Sequence, residues 1–74
     1  MKRVANIYNN FENLRNEVEN FIANSTNEEM KMEALDLLEA ITVEIEYFED
    51  NDYQNEVRIY NSLYNCFNNM LKAA

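Results

Sequence analysis

From Val4 onward, Ile7, Phe11, Leu14, Val18 and Phe21 recur at alternating steps of three and four, the spacing that lines one side of an α-helix. The positions between them are largely asparagine and glutamate. This pattern predicts a first helix over about residues 3–24. The segment Ser25-Thr26-Asn27-Glu28-Glu29 then holds two overlapping capping boxes, Ser25 with Glu28 and Thr26 with Glu29, either of which ties up free amides where a helix starts. A second helix is predicted over about residues 26–49, with Met30, Ala34, Leu37, Leu38, Ile41, Ile45 and Phe48 on its inner side. The pattern fades at Glu49-Asp50-Asn51-Asp52. Carboxylates oppose the negative end of a helix macrodipole and suit the positive start of the next, so a turn is expected there.

A third helix follows over about residues 53–72, with two adjoining apolar stripes: Val57, Tyr60, Tyr64, Phe67 and Leu71, and beside them Ile59, Leu63, Cys66 and Met70. An apolar face of about half the helix is wider than one neighbour requires, so this helix should touch both others. The expected fold is all-α, a small three-helix bundle forming a single helical domain over residues 1–74. The alternative is a two-helix hairpin that dimerises into a four-helix bundle, because the apolar arcs of helices two and three stay in phase across the acidic link. The sequence contains no glycine and no proline, which favours long helices with short polar links and excludes glycine-rich phosphate loops. At 74 residues, the chain buries only about 60% of its unfolded surface and is expected to be marginal in stability.

Most chemistry is set aside on composition. Without histidine the chain lacks the commonest general base, the usual zinc ligand sets and every triad that uses an imidazole, so no enzyme activity is expected. The one cysteine, Cys66, lies between Leu63 and Met70 on an apolar stripe and is expected to be a small core residue. An EF-hand loop starting at Asp50 needs glycine where Asn55 stands and a bidentate glutamate where Asn61 stands, so that match fails. Neither a metal site nor a cofactor is expected. No apolar run approaches the roughly 18 residues of a membrane span, no segment resembles a signal peptide, and an acidic chain is repelled by anionic headgroups. A cytoplasmic protein without a membrane role is expected. Fourteen asparagines follow no fixed period and carry no motif. A carrier role for the Tyr60 and Tyr64 face has little room in so small a core.

Charge changes the picture. The net charge is −8, but residues 28–56 hold eleven acids against one base, Lys31, while the rest of the chain holds three acids and five bases. Like charges three or four apart on a helix each cost roughly 0.2–0.5 kcal/mol, and Glu29/Glu33, Glu33/Asp36, Asp36/Glu39 and Glu46/Glu49 all fall at that spacing. Solubility needs less acid than this. Met32, Ala40, Val43 and Tyr47 also lie opposite the inner side of helix two, so they either cover a neighbouring helix or form an exposed apolar set ringed by carboxylates. The second case fits a docking surface in which apolar anchors sit among charges that steer a basic partner. The expected partner-facing residues are Met32, Asp36, Glu39, Val43, Glu46, Tyr47, Glu49, Asp50 and Asp52. Carboxylates spaced roughly 5–6 Å apart along a helix approximate a nucleic-acid backbone, so the expected partner is a basic protein, in particular a nucleic-acid-binding protein whose phosphate groove is occupied. Direct nucleic-acid binding is not expected with this sign of charge. Compact acidic helical proteins that inhibit host machinery are common among phage and mobile-element products, which is an association only. The rival expectation is a structural or self-assembling helical subunit, with Met32, Val43, Tyr47 and the second stripe of helix three as a homo-oligomer seam, a homodimer among the forms it could take.

Overall fold

In the computed structural model, which describes residues 2–49 and 51–73 and only the backbone of residues 2–5, three helices follow in order: α1 (Lys2–Asn24), α2 (Glu28–Glu46) and α3 (Tyr53–Ala73). Val4, which opens the expected stripe of α1, and Asp50, an expected partner-facing residue, lie outside the side chains described. The bundle measures 40 × 19 × 16 Å. Its long axis is set by the helices themselves, since the 23 residues of α1 span about 34 Å at 1.5 Å per residue.

Aromatic pairs fix the topology. Tyr8 near the start of α1 meets Phe48 just past the end of α2, with ring centroids 5.2 Å apart, so these two helices are antiparallel. Phe11 meets Tyr60 at 5.5 Å and Phe21 meets Phe67 at 6.0 Å, so α3 runs in the same direction as α1. The up-down-up arrangement places α1 against both partners, with α2 its most extensive neighbour, while α2 and α3 touch each other least. All four edge-to-face pairs add the attraction between ring edge and ring face to the burial of apolar area.

The core holds Ile7, Phe11, Leu14 and Val18 from α1, Ala34, Leu37 and Ile41 from α2, and Phe67 and Met70 from α3. The inner stripes of α1 and α2 are those that the spacing predicts. On α3 the buried line falls between the two expected stripes and reads Glu56, Tyr60, Leu63, Phe67, Met70, at steps of four, three, four and three. Tyr64 and Leu71, expected inside, are exposed on one side of that line, and Cys66, expected in the core, is exposed on the other. The reason is that α3 packs mainly on α1 along one line. The edges of its broad apolar face are left beside gaps.

Both links differ in detail from expectation. The start of α2 is capped by neither Ser25 nor Thr26: Asn27 is the cap, and its side-chain oxygen accepts from the Met30 N–H at 3.2 Å. Ser25 instead accepts from the Asn27 N–H at 3.3 Å, which holds the link and makes Asn27, one residue later, the first position free to cap. At the other end α2 stops at Glu46, short of residue 49, with Tyr47 turning the chain out at φ −109° and ψ 25°. No basic residue occupies its last turn, so nothing there offsets the negative end of the dipole. None of the described residues has a positive φ, so the link over residues 25–27 is made without the conformation that glycine would favour. α2 ends at Glu46 and α3 starts at Tyr53 as a separate helix, which removes the continuous-helix hairpin.

Candidate functional site

The geometry of α2 sorts its side chains cleanly. Met32, Asp36, Glu39, Val43 and Glu46 succeed one another at steps of four, three, four and three, which at 100° per residue keeps them on one side of the helix, opposite the buried Ala34, Leu37 and Ile41. All five are exposed. Val43 retains 45% and Met32 67% of its surface, so neither covers a neighbouring helix, and Ala40 is exposed as well. Tyr47, 73% exposed, continues this side past the end of the helix. Glu49 and Asp52 are exposed in the following link, off the helical stripe.

Leu35, 49% exposed, belongs to the same surface, although the sequence reading assigned it to neither side. It sits one turn after Met32 and one turn before Glu39, so its spacing does carry the signal. The resulting surface intersperses Met32, Leu35, Val43 and Tyr47 with the exposed carboxylates of Glu28, Glu29, Asp36, Glu39 and Glu46.

The second feature is buried. Glu56 retains only 2% of its surface and is the one charged residue among the buried side chains described. It occupies the first turn of α3, and one of its oxygens accepts from the Glu49 N–H at 3.3 Å, tying the α2–α3 link to the core. The other oxygen, Oε1, is buried without a hydrogen-bond partner. Burial pushes the carboxyl above its ordinary value, the Glu49 N–H opposes this, and the charges of Glu44 and Glu49 add to the rise. Composition counted Glu56 with the surface acids. The available signal was the line Tyr60, Leu63, Phe67, Met70, which reaches Glu56 when extended back by one turn. Burial likewise raises the hydroxyl of Tyr60, with the neighbouring Tyr64 and Glu17 adding to it. Tyr60 and Tyr64 are stacked at 5.9 Å.

Among the described residues, no group of three or more cysteine, aspartate or glutamate side chains is placed to hold a metal ion, and no helix is long and apolar enough to cross a membrane. No family model, curated protein or solved structure matches the chain.

Proposed function

We propose that this is a non-enzymatic, cytoplasmic binding protein whose outward α2 face docks on a basic protein surface, acting as an inhibitor that occupies the phosphate groove of a nucleic-acid-binding protein. One observation carries this reading: Met32, Asp36, Glu39, Val43 and Glu46 share one exposed side of α2, so apolar anchors and carboxylates are presented together. The carboxylates attract cationic side chains and speed encounter, and the apolar side chains among them supply area that loses water on contact. Lys31 is the one base between residues 28 and 56, so this surface has little positive charge of its own to oppose it.

The rival is a homodimer seam on the same surface, favoured by the exposure of Met32, Val43 and Tyr47. A two-fold interface would set the patch against its own copy and bring the flanking glutamates face to face, which costs free energy. Sedimentation over a range of concentrations separates the readings, since a monomer at high concentration removes the seam.

The direct test compares the wild type with the Asp36→Lys/Glu39→Lys/Glu46→Lys variant as bait. A partner retained by the wild type, lost by the variant and released by duplex DNA supports the proposal. Equal recovery of the same partners by both baits removes it.

A further inference from the structure

Because α2 and α3 touch least of the three pairs, a groove remains between them. It consists of two adjoining hollows of about 260 and 390 Å³ that share Glu33, Cys66 and Met70. Leu63, half-buried, is the accessible part of its floor, with the core residues Leu37 and Met70 beneath. Its two walls differ: Glu33 and Asp36 stand on the α2 side, whereas Cys66 and Asn69 stand on the α3 side. Cys66 and Asn69 carry no charge, so the charge across the groove runs from acid on α2 to neutral on α3. Asp36 also belongs to the outward face of α2, which makes the groove and the docking surface neighbours around one helix.

We infer that this groove is the anchor site for an amphipathic, lysine- or arginine-bearing helix of the partner. The helix lays its apolar side on Leu63 and Ala40, above the buried Leu37 and Met70, and its cations against Glu33 and Asp36. The inference rests on the docking reading above and adds the secondary structure and orientation of what is bound. Charge complementarity selects the occupant, because an acidic or neutral helix gains nothing from the α2 wall and a purely basic one leaves the apolar floor wet. Length agrees: the lining runs from Leu63 to Ala73 along α3, about 15 Å at 1.5 Å per residue, which matches close to three turns of a bound helix. The hollows beside the α1–α2 link, lined by Phe21, Asn24 and Ser25, lie at the same end of the bundle, and between them they present one carboxylate, Glu17, where this groove has Glu33 and Asp36.

Cys66 makes the groove testable in the intact protein, since it is exposed, lines both hollows and is the one cysteine in the chain. The probe is a synthetic Leu/Lys amphipathic helix of about 18 residues, long enough to hold helical structure, with a control in which every leucine is serine at the same charge. Binding is followed by calorimetry and Cys66 alkylation with N-ethylmaleimide by mass spectrometry. With nine-tenths of the protein bound, the Leu/Lys helix is expected to slow alkylation about tenfold, in proportion to the free fraction. The Lys/Ser control should leave the rate unchanged, and Glu33→Lys, at an exposed position, should weaken the binding of the Leu/Lys helix. Binding of the Leu/Lys helix with Cys66 still alkylated at the free rate overturns the groove and leaves the outward α2 face standing. Equal shielding by both peptides overturns the amphipathic requirement, and binding by neither at low salt overturns both proposals.

Discussion

Replacing Glu56 by glutamine isolates the free energy of a buried carboxylate in a fold with little stability to spare. The side chain is 98% buried by its 2% residual exposure, and Oε1 has no partner. An unsatisfied buried polar atom costs about 1–3 kcal/mol, and more when it carries charge. The Glu49 N–H returns part of this, but at 3.3 Å the bond is long for a charge-assisted one, and glutamine keeps an oxygen that can accept it. Glutamine also offers an N–H₂ group toward Glu44. Glu56→Gln is therefore expected to raise stability at pH 7.5 by about 1–2 kcal/mol, or about 4–8 °C in Tm for each kcal/mol in a domain of this size.

The pH dependence carries a definite sign. The folded-state pKa of Glu56 lies above its ordinary value of 4.5, so between those two values the native protein holds a proton that the unfolded chain has released. That contribution is fully present below the ordinary value and is lost as pH rises through the folded-state value, with a limiting slope of about 1.4 kcal/mol per pH unit. Urea denaturation followed by circular dichroism at pH 4.5 and 7.5 should show the gain of Glu56→Gln shrinking toward the lower pH. An equal loss of stability at both pH values would refute the reasoning, because it would mean that the carboxylate is well satisfied where it sits.

Truncation of Phe11, which is fully buried and meets Phe48 and Tyr60 edge to face, should cost about 3–5 kcal/mol as Phe11→Ala. That approaches the entire stability of about 5 kcal/mol expected of so small a domain, so far-UV circular dichroism at 25 °C should show substantial unfolding. Asn27→Ala removes the cap of α2 and should cost about 0.5–2 kcal/mol in urea denaturation. Thr26→Ala, at an exposed residue outside the cap, should fall within about 0.5 kcal/mol of wild type.

The periodicity of Ile7 to Val18 and of Ala34 to Ile41 determines which sides of α1 and α2 turn inward, and therefore which side of α2 faces out with Met32, Asp36, Glu39, Val43 and Glu46. These features follow from the sequence because a helix repeats every 3.6 residues whatever surrounds it. The absence of glycine and proline, together with the polar links, likewise makes three helices legible before any packing is known. On α3 the same reasoning stops short. Its apolar face is broad enough to accept several packing lines, and only the approach of α1 and α2 together selects the one through Glu56, Tyr60, Leu63, Phe67 and Met70. Tertiary structure thus buries a glutamate that composition assigns to solvent and exposes a cysteine that its neighbours assign to the core. It also opens the groove between α2 and α3. Helical phase is a local property of the chain, whereas burial depends on how closely a second helix approaches, and that distance is decided only when all three pack together.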